Sequence, residues 1–100
     1  MAQAGPVQIK VQDGLMTITL NNPPVNALST AALEALDRAC EQVEKDGSVR
    51  AVVITGTGPV FSAGADVKEI GSLASAEEAQ AKSAHGSSVF SRIEALPVPV

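Results

Sequence analysis

The run Phe61-Ser62-Ala63-Gly64-Ala65-Asp66-Val67-Lys68-Glu69-Ile70 holds the groups best suited to chemistry in this chain. An apolar stretch leads into a small, glycine-centred turn, and Asp66 stands where a short helix would begin. Such a turn lets a ligand approach the backbone closely and aims N–H groups at it. The spacing admits two readings. In one, Ala63-Gly64-Ala65-Asp66 is a strand-to-helix turn whose glycine only relieves strain. In the other, the Ala65 N–H lies near the positive end of that helix and forms part of an oxyanion hole, stabilising an oxygen that gains negative charge in a transition state. The small side chain at position 65 would keep that N–H accessible.

The other candidates have plainer explanations. Gly56-Thr57-Gly58 lacks the third glycine of a nucleotide-binding loop, because Phe61 stands in its place, so it reads as a turn. Ser62 is not set in a nucleophile elbow and reads as a structural serine. His85, the only histidine, lies among Ser and Ala residues of a helix and receives no role. Cys40 falls on the apolar face of a helix and reads as a small core residue. Glu41, Glu44 and Asp46 read as a solvated helix face. One Cys and one His far apart do not make a metal site, and a single Cys excludes an internal disulfide and fits a reducing compartment.

Bulk properties narrow the classes further. One hundred residues suit one small domain, and a 45% hydrophobic fraction with a mean hydropathy of +0.18 supports a packed core. That core must be built from small aliphatic side chains, since there are two Phe and no Trp or Tyr. The net charge of −4 and the thin scatter of seven basic residues argue against nucleic-acid binding. The N-terminal residues lack the pattern of a secretory signal, and no run has the length of a membrane span.

The elements that must carry the turn follow from periodicity. Val7, Ile9 and Val11 alternate with polar residues as a strand, Asp13-Gly14 is a two-residue hairpin signal, and Leu15 to Leu20 return. The prolines at 23 and 24 require a loop from Asn21 to Asn26. Ser29 is an N-cap for a helix to about Lys45, with Leu33, Leu36, Cys40 and Val43 on one face and Gly47 as a left-handed stop. Ala51 to Thr55 is expected to be a strand buried on both faces, joined to the preceding one by a right-handed crossover. Val60 to Ala63 is expected to be another short strand. Ser75 and Glu78 form a capping box for a helix carrying Val89, Phe90 and Ile93, with a kink or break allowed at Gly86 and a stop at Pro97. Leu96 to Val100 read as the opening of a further strand, so more polypeptide is expected to complete the fold.

Taken in order, the hairpin, the loop Asn22-Pro23-Pro24-Val25-Asn26-Ala27-Leu28-Ser29 and the run from Phe61 to Ile70 resemble the N-terminal half of the crotonase family, the enoyl-CoA hydratases and isomerases. The match covers essentially the whole chain. The doubled proline is similar to the hydratase/isomerase parts of multifunctional fatty-acid oxidation proteins. The resemblance implies an α/β, crotonase-like fold of stacked ββα units. Residues 1–100 would be the N-terminal part of a single domain, stopping before the second oxyanion-hole glycine and the catalytic glutamates. It implies that the Ala65 N–H is one of two donors to a CoA thioester carbonyl. Val25 and Ala27 would line the CoA channel, with Ala63, Asp66 and Val67 near the adenine and pantetheine portions. Asn22 departs from the basic residue that many members carry there, so a phosphate contact from that position is not implied. Glu69, Glu77 and Glu78 do not match the family's catalytic positions.

The activity so implied is addition of water to a trans-2-enoyl-CoA in fatty-acid β-oxidation. CoA is part of the substrate, and no separate cofactor is implied. Isomerisation or another acyl-CoA reaction of the family would leave this half nearly unchanged. A non-catalytic CoA-binding or assembly protein on the same fold, or an unrelated nucleotide-binding module, are the alternatives of other classes. Family members commonly form trimers or pairs of trimers. The implied location is the cytoplasm in a bacterium, or the mitochondrion or peroxisome in a eukaryote.

Overall fold

The structure, a computed structural model, describes residues 5–23, 25–62, 64 and 75–100. Five elements run in the order β1 (Val7–Gln12), β2 (Leu15–Leu20), α1 (Thr30–Lys45), β3 (Ala51–Gly56) and α2 (Ala76–Glu94). The three strands form one sheet in the order β1-β2-β3.

The hairpin forms because Asp13 and Gly14 both take positive φ, 53° and 82°, the pair a tight two-residue turn requires. It sets an antiparallel register in which Ile9 faces Ile18 and Val11 faces Met16. β3 then adds to β2 in parallel, Val52 opposite Met16 and Ile54 opposite Ile18, with α1 as the crossover. The Gly14 carbonyl accepts the N–H groups of Arg50 (2.7 Å) and Ala51 (3.2 Å), so the hairpin turn also anchors the entry to β3.

Helix α1 starts where its cap places it: the Ser29 Oγ accepts from Ala32 N at 3.1 Å. Its Leu33, Leu36, Cys40 and Val43, joined by Ala32 and Ala39, are buried against Met16, Ile18, Leu20 and Val52. Burial pushes the Cys40 thiol pKa up, as its core position demands.

Several sequence expectations need correction. Gly47 is not among the residues with positive φ. The helix is stopped instead by Asp46, an extended cap residue whose carboxylate accepts from the Ser48 N (2.9 Å) and hydroxyl (2.6 Å), so no left-handed glycine is needed. β3 is not buried on both faces: Val52 is in the core, but Val53 is 45% exposed, because none of the described elements covers the sheet on that side. Val60 to Ser62 are not a strand; the Val60 carbonyl is taken by a side chain instead of a ladder. Ala63 lies outside the described residues.

Helix α2 begins at Ser75, whose Oγ accepts from Glu78 N at 3.1 Å, and runs unbroken through Gly86. It lies against α1, and Val89 in its C-terminal half is buried. Arg92 crosses to α1 and donates to Asp37 Oδ1 (2.9 Å) and to both Glu44 oxygens (2.5 and 2.9 Å). Glu44 therefore belongs to an inter-helix ion cluster, not to a purely solvated face. Beyond α2, the Pro99 carbonyl accepts from Val52 N at 2.9 Å, so the terminal residues touch β3 without themselves being assigned as strand.

Candidate functional site

The proline loop and the glycine turn, far apart in sequence, are tied together in space. Leu28 N donates to the Gly64 carbonyl at 2.7 Å. The Ser62 hydroxyl donates to the Asn26 carbonyl at 2.8 Å and accepts from Gly64 N at 3.0 Å. Gly64, at φ 92°, is thus held at both its N–H and its C=O. Ser62 is structural, as its surroundings in the sequence suggested.

Asn26 is the hub of this junction, and sequence reasoning passed over it. It is 1% exposed and has a φ of 52°, a conformation that asparagine tolerates better than most residues. Its side-chain Nδ2 donates to Thr57 O (3.0 Å) and Val60 O (2.8 Å), while Oδ1 accepts from Asn22 N (2.9 Å). One amide thereby joins the proline loop to the turn after β3. A side chain carrying two donors and an acceptor, two residues after a pair of prolines that cannot donate, was the available signal.

Gly56 makes this approach feasible. A Cβ there would meet the Phe61 carbonyl at 2.5 Å and the Asn26 Nδ2 at 2.8 Å. The first glycine of Gly56-Thr57-Gly58 is therefore required by close packing of backbone, and Gly58, at φ 73°, by the turn itself. Asn22 is also committed: its Nδ2 donates to the Ala27 carbonyl at 2.9 Å, closing the loop on itself.

Beneath the junction opens an apolar cleft of about 380 Å³. Leu20, Leu28, Leu36 and Ile54 form its floor, Phe61, Ser62 and Gly64 one rim, and Phe90 and Ile93 of α2 the other. Phe61 and Phe90 are 58% and 49% exposed. None of the described residues lining the cleft is titratable, and their largely apolar surface suits an apolar group. Among the described residues no cluster of His, Cys, Asp or Glu could hold a metal ion.

Of the residues singled out in the sequence, Val25 is exposed on the loop and Ala27 half-buried, and neither borders the cleft. Ala63, Ala65, Asp66 and Val67 lie outside the described residues.

Residues 10–100 match the family described as Enoyl-CoA hydratase/isomerase. The chain belongs to that family. A probable enoyl-CoA hydratase of Bacillus subtilis is 39% identical over 94 residues, which is 94% of this chain and 36% of that protein. The fatty acid oxidation complex subunit alpha of Idiomarina loihiensis is 36% identical over 91 residues, 88% of this chain and 13% of that protein. Among solved structures, an enoyl-CoA hydratase of Mycobacterium smegmatis superposes with a TM-score of 0.91 at 38% identity, covering 97% of this chain and 38% of that one. The crotonase-like ββα fold implied by the motifs is therefore the fold of this chain. The chain spans little more than a third of the Bacillus and Mycobacterium proteins.

Proposed function

We propose that the polypeptide containing this chain is an enoyl-CoA hydratase, adding water across the C2=C3 bond of a trans-2-enoyl-CoA. The hydroxyl goes to C3 and a proton to C2, by way of an enolate whose oxygen is the thioester oxygen. One observation carries the reading: the glycine turn is pinned to the proline loop at the rim of an apolar cleft, through Leu28 N–H to Gly64 O at 2.7 Å. A trans peptide turns its C=O and its N–H to opposite sides. With the Gly64 carbonyl given to Leu28, this reading has the same amide offer its N–H, on Ala65, to the thioester. Such a donor stabilises the enolate more than the ground-state carbonyl, and losing one costs about 2.7–4 kcal/mol of barrier.

The acid–base groups are assigned outside these residues. The names of several relatives support hydratase chemistry over other reactions of the family.

The test is a spectrophotometric assay of the complete polypeptide with crotonyl-CoA, following loss of the conjugated enoyl thioester. Turnover is expected from the complete polypeptide and none from residues 1–100 alone. Turnover only of a 3-enoyl-CoA would replace the reading with isomerisation. Saturable CoA-thioester binding without turnover of either would replace it with a binding role.

A further inference from the structure

Asn26 is engaged far more than a loop residue needs to be. Its amide spans Asn22, Thr57 and Val60, and its own carbonyl takes the Ser62 hydroxyl at 2.8 Å. Ser62 passes that constraint on, since the same oxygen accepts the Gly64 N–H at 3.0 Å. Leu28, two residues beyond Asn26, holds the other end of Gly64 at 2.7 Å. Gly64 is the residue whose freedom most needs restraint. It sits at φ 92°, has no side chain to wedge it, and a Cβ built there would meet none of the described residues within 4 Å. Hydrogen bonds hold the peptides on both sides of it.

We propose that Asn26 and Ser62 are positioning residues, which hold the peptide before Gly64 while Leu28 holds the one after it, and so help set the aim of the backbone donor that follows. The proposal rests on the hydratase reading above. Asn26 fixes where the Ser62 hydroxyl stands, Ser62 fixes the Gly64 N–H, and Leu28 fixes the Gly64 carbonyl. Each acts through the backbone it holds. Their effect is on the alignment of a donor with an oxygen that becomes charged only at the transition state, so it falls on kcat more than on KM.

The experiment measures steady-state kinetics of the complete polypeptide on crotonyl-CoA for Ser62→Ala, Ser62→Cys and Ser62→Thr, with a thermal midpoint for each. Ser62→Ala is expected to lower kcat roughly tenfold or more, with KM within about twofold, since small misplacements of reacting groups can cost up to about a hundredfold. Ser62→Thr keeps the hydroxyl and is expected to recover most of kcat. Ser62→Cys, whose thiol hydrogen-bonds weakly, is expected to fall between them and serves as the second variant should the alanine protein fail to fold. A folded alanine or cysteine variant with the parent kcat would overturn the positioning role alone. So would a loss confined to KM or to the thermal midpoint. Absence of turnover in the parent protein would overturn the hydratase reading, and the positioning role with it.

Discussion

The two helices lie against one another and are held in different ways. Helix α1 buries Ala32, Leu33, Leu36, Ala39, Cys40 and Val43, whereas the only fully buried residue of α2 is Val89. What α2 lacks in apolar contact it partly makes up with polar tethers. Arg92 reaches Asp37 and Glu44, and the Lys82 ammonium donates to the Thr30 hydroxyl at the start of α1. Burial of apolar surface is strong and is not screened by salt, while exposed ion pairs are weak and screened. Helix α1 is thus an integral part of the core. The one buried residue of helix α2 lies in its C-terminal half, and that half supplies Phe90 and Ile93 to the cleft.

The largest effect that tests this contrast is core truncation. Leu36→Ala is expected to destabilise the chain by about 2–5 kcal/mol in urea unfolding. Val89→Ala removes two methyl groups and should cost roughly 2 kcal/mol, with amide exchange rising along α2 ahead of α1. Uniform exchange in both helices would show that they open as one unit and would break the comparison.

The caps offer a smaller, matched pair. Both Ser29 and Ser75 accept an N–H three residues on. Ser29→Ala should lower stability by about 1 kcal/mol, because α1 cannot fray without exposing core. Ser75→Ala is expected to register less in global unfolding and more as local fraying, since Ala76 to Gln80 are all exposed.

The smallest effect is electrostatic. The Arg92 guanidinium holds the Glu44 carboxyl below the usual glutamate range, and Lys45 does the same for Glu41. A pKa lowered on folding contributes stability above the unfolded value, about 4.3 for glutamate, and that contribution fades as pH falls through the folded value. Acidification should therefore loosen α2 from α1. Arg92→Met should make stability less dependent on pH in that window, and added salt should mimic it. An unchanged pH profile would show that the Arg92 cluster contributes nothing to docking.

How much of this was legible depended on distance along the chain. The hairpin at Asp13-Gly14, the cap at Ser29 and the apolar face of α1 are local patterns, and the structure agrees with each. Two local expectations failed because another partner took the group first, one local and one distant in sequence. Ser48 satisfied Asp46, so Gly47 had no left-handed turn to make; Asn26 took the Val60 carbonyl from any ladder. Arg92 pairing with residues on α1, and Phe90 lining the same cleft as Phe61, have no signature in spacing at all.

By itself the amino-acid sequence determined the elements, their order and the two motifs that mark the family, because each is written in residues within a few positions of one another. Tertiary structure alone decided that the motifs meet, that Asn26 joins them, and that Gly64 is gripped from both ends. Those depend on which donors and acceptors the parallel pairing of β2 with β3 brings within three ångströms, and hydrogen bonds of that kind exist only once the chain has closed on itself.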